Sequence, residues 1–190
     1  MTTELGTTIA SCSCGSVQID VIGTPITRVV CYCDDCQEGS RQVASLPQAP
    51  NPLGSDGGTD YVLYRKDRVR CTRGDHLLKP NKIREKSATR RYVATCCNTA
   101  MYMAFDDARH WTPVYAARFN KMPMPVAMRI CTKFAPREAD LPNDAPIYRS
   151  YPFKFMARLV AAWIPLLFRR CLSASPSQAH TMGATTNSTT

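Results

Sequence analysis

The run Cys31-Tyr32-Cys33-Asp34-Asp35-Cys36 sets three thiols at spacings of one and then two residues, and nothing else in the 190-residue chain constrains its fold as strongly. Three sulfurs that close in sequence can wrap one tetrahedral cation, and Zn²⁺ takes thiolates at about 2.3 Å. Three ligands leave a fourth position open, which is the difference between a metal that can act on a substrate and one that only holds a fold. A second pair, Cys12-Ser13-Cys14, precedes Gly15, whose backbone freedom lets the chain turn and aim both sulfurs at one point. Cys96-Cys97 is the remaining cluster. Neighbouring cysteines chelate one ion awkwardly, so one of that pair is expected to bind and the other to stand aside. Cys71, Cys131 and Cys171 are isolated and read as small buried hydrophobes.

Ten cysteines could equally make disulfides. Met1–Ala10 is polar, with no basic start and no apolar stretch, so a secretory leader is not expected and a cytoplasmic location is. Cytoplasmic thiols are kept reduced, and clustered cysteines there point to metal. With three histidines in the chain, any site must be rich in sulfur.

The formal charge is +9, and eleven of the Lys and Arg residues fall between Val62 and Arg91 against three acids. Thiolate ligands temper that balance, since seven of them around two Zn²⁺ remove about three charges. The basic stretch reads as a solvated sheet face or as a surface for an anion such as glutathione. No basic motif with interleaved aromatics supports nucleic acid.

The alternation of Ile9, Val17, Ile19, Val21, Ile26, Val29 and Val30 between glycines and Pro25 predicts two or three short strands. Asp34 to Leu46 predicts a helix stopped by Pro47, followed by a loop over 47–60 with three prolines and three glycines. Tyr61–Tyr64 and Val69–Cys71 resemble the arms of a hairpin. Residues 89–104 read as strand, cysteine-bearing turn and strand, and Pro113–Ala117 as a further strand. From Pro152 to Arg170 the chain places Met156, Leu159, Val160, Trp163, Ile164 and Leu167 on one helical face, opposite Lys154, Arg158 and Arg169. Pro165 should kink this helix or move its end. The uncharged run from Leu159 to Phe168 is too short to span a membrane, and the helix reads as docking on its own domain, on a partner protein or on a membrane surface. The expected organisation is one domain over 1–148, a basic amphipathic helix over 149–172 and a disordered tail over 173–190.

The ordered set Cys12-x-Cys14-Gly15, Cys31-Tyr32-Cys33-x-x-Cys36-Gln37 and Arg91-Tyr92-x-x-x-x-Cys97-Asn98-Thr99 resembles the glutathione-dependent formaldehyde-activating enzyme family, also called the CENP-V/GFA domain, over roughly residues 8–120. The resemblance implies a mainly β fold, a β-tent of small antiparallel sheets stapled by zinc. It also implies carbon–sulfur lyase activity on thiol–aldehyde adducts such as S-hydroxymethylglutathione. By position, Cys31, Cys33 and Cys36 match the family's catalytic zinc ligands, and Cys12, Cys14 and Cys97 match three of its four structural ligands. The fourth falls three residues before the distal cysteine, where this chain has Ala94. Either Cys96 substitutes, or the site has lost a ligand, or the metals are arranged differently. Asn98 stands where the family has glycine, as befits a divergent branch, and asparagine tolerates the left-handed backbone. One or two Zn²⁺ ions are therefore expected, on Cys12, Cys14, Cys31, Cys33, Cys36, Cys96 and Cys97. The alternative to an enzyme is a module in which zinc only stabilises the fold and the basic face and C-terminal helix bind a partner.

Overall fold

The computed structural model describes residues 6–136 and 140–172, with side chains followed to residue 166. Ten strands and two α-helices make up the described chain: β1 Thr7–Ser11, β2 Gln18–Ile22, β3 Thr27–Cys31, α1 Asp34–Ala44, β4 Thr59–Arg65, β5 Val69–Arg73, β6 Leu78–Asn81, β7 Thr89–Ala94, β8 Thr99–Phe105, β9 Trp111–Tyr115, β10 Met128–Ile130 and α2 Phe153–Leu172. The fold is mainly β, with two sheets and a C-terminal helix. The smaller sheet runs β1-β2-β5, and the larger runs β10-β3-β4-β9-β8-β7-β6. All pairings are antiparallel except that of β10 with β3.

Strand periodicity sorts the larger sheet into two buried faces. Along β4, Val62 and Tyr64 pack with Ala10, Val17, Ile19 and Val21 of the small-sheet region. Tyr61 and Leu63 turn the other way, toward Val43 of α1 and Phe155 and Leu159 of α2. The sheet is thus sandwiched between the small sheet and the helices. That is why Tyr-Val-Leu-Tyr is apolar throughout instead of alternating.

The segments 61–64 and 69–71 do not form the hairpin expected of them. Lys66–Arg68 lacks the Gly or Asn of a tight hairpin turn and instead makes a single 3₁₀ turn. The Lys66 N–H donates to the His110 carbonyl (2.8 Å) and Arg65 clasps Asp67 (2.6 Å), which sends the chain off the large sheet. There β5 pairs with β2 instead. Two strands were not foreseen: β6, which contains Pro80, and β10, which follows the prolines at 123 and 125. Both are edge strands, where proline costs no ladder bond.

Helix α1 begins at the metal motif. Asp34 and Asp35 lie in its first turn and Arg41 in its last, each matching the helix dipole. The buried Gln37 amide donates to the carbonyls of Tyr32 (2.6 Å) and Phe134 (2.7 Å), locking the helix to the strand end that precedes it. Behind that strand end, the Tyr32 hydroxyl donates to Asp56 Oδ2 (2.7 Å). Arg129 ties Asp56 (2.7 Å) to Asp144 (2.8 Å) and donates to the Tyr32 oxygen.

Helix α2 continues through Pro165 to Leu172. It docks by a narrow stripe, with Phe155 and Leu159 buried. His110 Nε2 contacts the Leu159 carbonyl (2.7 Å) and Arg158 donates to Thr27 Oγ1 (2.8 Å). Of the face read from sequence, Leu159 is buried while Met156, Val160, Trp163 and Ile164 remain exposed. The Leu167 side chain and the tail over 173–190 lie outside the described residues.

Candidate metal centres and the cavity beside them

Two sulfur clusters form, one on each side of the large sheet. The first joins the turn after β1 to the turn between β7 and β8, and brings together Cys12, Cys14, Cys96 and Cys97 with all sulfurs within 4.8 Å of one another. Gly15, at φ 77°, folds the first turn so that its N–H reaches the Cys12 carbonyl (3.0 Å). Asn98, at φ 50°, folds the second and donates its side-chain amide to the Pro47 carbonyl (2.9 Å). The sulfur separations are 3.6 Å for Cys12 and Cys14, 3.9 Å for Cys12 and Cys96, 3.4 Å for Cys14 and Cys96, and 3.8 Å for Cys96 and Cys97. A zinc tetrahedron with bonds of about 2.3 Å has edges of about 3.8 Å. The four thiols therefore fit one such ion. Both sulfurs of the adjacent pair lie in the cluster, and Ala94 is fully buried in β7.

The second cluster is Cys31, Cys33 and Cys36, also within 4.8 Å of one another. Cys31 ends β3, Cys33 caps α1, and Cys36 lies in the first helical turn, its N–H donating to the Cys33 carbonyl (2.9 Å). A strand that stops where a helix starts bends the chain enough for spacings of one and two to converge. Cys131, isolated in sequence, lies against Cys31 and Tyr151, where no local spacing could have placed it.

Electrostatics split each cluster, drawing Cys14, Cys97 and Cys33 toward thiolate and pushing Cys96, Cys31 and Cys36 up. Cys14 is pulled down to about 6, first by the Ser16 hydroxyl, which lies 3.3 Å away, and then by the Ser16 backbone. Cys33 is pulled down to about 3 by hydrogen bonds with Cys31 and then Cys36. Cys31 moves the other way, chiefly through its contact with Cys131. Each cluster also has a guanidinium at hand. Arg118 donates to Ser13 Oγ (3.2 Å) and is attracted by Cys97 and Cys12, while Arg91 attracts Cys33 and Cys36. A buried Arg91 and a half-buried Arg118, each near a sulfur cluster, offset the negative charge of thiolate ligands.

The three-sulfur cluster opens onto a cavity of about 350 Å³. The sheet supplies Leu63, Met103 and Trp111, α1 supplies Asp35, and α2 closes the far side with Phe155, Met156 and Leu159. From the basic stretch between 62 and 91, the only cation on the lining is Arg91. Others are matched on the surface, such as Arg65 with Asp67 and Arg90 with Asp106.

Residues 7–50, which carry Cys12, Cys14, Cys31, Cys33 and Cys36, match the family described as glutathione-dependent formaldehyde-activating enzyme. That segment is similar to these enzymes. Outside the matched segment, the distal Cys-Cys-Asn-Thr turn departs from the formaldehyde-activating pattern at Ala94 and Asn98, yet still delivers two sulfurs to Cys12 and Cys14. A crystal structure of a Rhodobacter sphaeroides protein superposes on 74% of this chain and 98% of its own, with a TM-score of 0.44 and 14% identity. No curated protein matches the sequence. No described helix is long and apolar enough to cross a membrane.

Proposed function

We propose that this chain is a zinc-thiolate carbon–sulfur lyase of the formaldehyde-activating type, acting on thiol–aldehyde adducts. The observation that carries the reading is the contrast between the clusters. Four sulfurs with tetrahedral spacing form a closed set at the sheet junction, whereas three sulfurs face a cavity large enough for a small molecule. Cys12, Cys14, Cys96 and Cys97 would hold a structural ion, and Cys31, Cys33 and Cys36 a second one with an open side. Zinc bound there would supply a Lewis acid beside the reacting atoms.

The chain's own residues do the rest. In an adduct of the form R–S–CH₂–OH, the carbon–sulfur bond breaks, the hydroxyl proton passes to sulfur, and a thiol and formaldehyde leave; the reverse joins them. Trp111, Phe155 and Leu159 hold the adduct in an apolar enclosure that excludes water. The Gln37 bonds to Tyr32 and Phe134 fix the strand-to-helix corner from which the three sulfurs project.

Zinc-loaded protein should carry two ions per chain and accelerate exchange between glutathione and formaldehyde, read by NMR magnetisation transfer. Cys33→Ser should abolish the acceleration. Exchange of formaldehyde no faster than the uncatalysed background with glutathione and with 3-mercaptopropanoate and phenylmethanethiol alike, in protein shown to hold both ions, would refute the lyase reading.

A second reading rests on α2, whose Phe153, Met156, Val160, Trp163 and Ile164 are exposed next to Lys154. In that case the clusters only stabilise the fold, and the helix meets a protein or membrane surface. Deleting residues 150–190 separates the two readings. An enzyme loses its cavity wall and slows, whereas a binding module keeps both metal sites and loses its partner.

A further inference from the structure

Arg91 is 1% exposed, and it is the largest of the fully buried side chains. One amino group, Nη2, donates to the Asp35 carbonyl at the start of α1. Gly39 makes this possible, because a Cβ at that position would strike the guanidinium. The other amino group, Nη1, and Nε have no hydrogen-bond partner. The hydroxyls of Tyr61 and Tyr115 are in the same condition. Tyr115 lies within reach of both Tyr61 and Arg91, yet none of these four buried atoms makes a well-formed hydrogen bond, and both Arg91 and Tyr61 line the cavity. Native proteins seldom leave such groups unpaired, and a buried guanidinium least of all.

The remainder of the lining is hydrocarbon and aromatic, with Val29, Leu63, Met103, Phe105, Trp111 and Leu159 among its walls. Arg109 also borders the space, but Asp107 neutralises it through Nη2 (2.7 Å) and its guanidinium lies over the Phe105 ring. Asp35 contributes an exposed carboxylate at the rim, which opposes a second anion there. Arg91 is thus the one lining cation without a carboxylate partner among the described residues. Glutathione carries two carboxylates, an ammonium and two peptide groups, and most of these would be desolvated here without partners.

We propose that the cavity selects an apolar molecule with a single carboxylate, an aryl or alkyl acid, whose anion pairs with Arg91 and whose thiol–aldehyde end lies at the Cys31, Cys33 and Cys36 triad. The assignment rests on the lyase reading for its reactive end and on Arg91 and the apolar walls for its selectivity. Arg91 lines the same cavity as Cys31, Cys33 and Cys36, so an anion held by it shares that space with the triad.

The test is calorimetric titration of the zinc-loaded full chain with 3-phenylpropanoate, 3-phenylpropanamide and glutathione. The acid should bind at least tenfold more tightly than the amide and than glutathione. Arg91→Met should remove the preference for acid over amide while leaving amide binding within twofold. Equal affinity for acid and amide, tighter binding of glutathione, no binding of the acid, or an acid preference that survives in Arg91→Met would each overturn the proposal. Should that variant fail to fold, ¹⁵N spectra of the wild type replace it. One arginine Nε–H resonance should move downfield with the acid and stay fixed with the amide, and an Nε–H set that ignores both refutes the pairing. Glutathione–formaldehyde exchange without acid selectivity leaves the lyase reading intact and removes this inference. Acid-selective binding without exchange does the opposite.

Discussion

Leu159→Ala should loosen helix α2 without unfolding the sheets. Leu159 is 2% exposed and, with Phe155, is one of the two buried anchors of the helix. Truncation removes three carbons, worth about 2.4 kcal/mol at about 0.8 kcal/mol for each. Because the side chain already borders the cavity, the hole it leaves joins an existing space and the added cavity penalty is small. The remaining tethers are the buried Phe155, worth about 1.5–3 kcal/mol, and two polar contacts, from His110 to the Leu159 carbonyl and from Arg158 to Thr27, each worth about 1 kcal/mol net. Local docking therefore loses a substantial part of its free energy, and about 2.4 kcal/mol corresponds to roughly a 60-fold fall in protection. Native-state hydrogen exchange measures this directly. Amides in α2 should exchange about 60 times faster, while those of β4 and β9, bonded between strands at the centre of the large sheet, should change less than threefold. An equal loss across helix and sheet would show that α2 is part of the global folding unit and refute the view of it as a separately docked wall.

The four-sulfur site should be the more important for stability, so Cys14→Ser should halve the zinc content and lower the Tm, with metal content by mass spectrometry and a melt as the two measurements. Arg129→Met leaves Asp56 and the Tyr32 hydroxyl without their cation and should cost about 3–5 kcal/mol in a denaturant titration, since breaking a buried pair from one side strands the other charge. Asp56 is held below its ordinary 3.8 by the Tyr32 hydroxyl, the Gly58 N–H and Arg129, which outweigh the opposing effect of burial. A carboxylate lowered on folding stabilises fully above its unfolded value and less as pH falls through the folded one, so this contribution should begin to fade below about pH 3.8. Asp56→Asn should accordingly narrow the gap in Tm between pH 6 and pH 3 relative to wild type, and an unchanged gap would remove Asp56 from the account of acid sensitivity.

The strands, α1 and the C-terminal helix were legible because each is written in local periodicity and punctuation. The triad was legible for the same reason, since Cys31, Cys33 and Cys36 converge through one bend. What local pattern could not show is which cysteine completes the other cluster. Ala94 breaks the expected register, but the β7–β8 turn swings Cys96 inward, a placement set by the left-handed Asn98 and by pairing across the sheet. Cys131 lies against Cys31 only because β10 runs parallel to β3, a pairing of strands about a hundred residues apart. The misread hairpin has the same origin: β5 prefers β2, which lies almost fifty residues earlier. Arg91 was hidden within a basic stretch, and only its burial separates it from the surface arginines on either side.

The placement of the sulfurs also sets a schedule for a chain emerging from the ribosome. The triad lies within six residues and can capture an ion as soon as Cys36 is free. The four-sulfur site must wait for Cys97, about 60 residues later, which at about 5–20 residues per second is about 3–12 s. Until then Cys12 and Cys14 are a bare pair of thiols, open to oxidation and to exchange with other metals. The residues of α2 arrive last, so the cavity acquires its wall only after both clusters have had time to fill. A cell short of zinc would therefore accumulate chains in which the triad is loaded and the staple between the sheets is not.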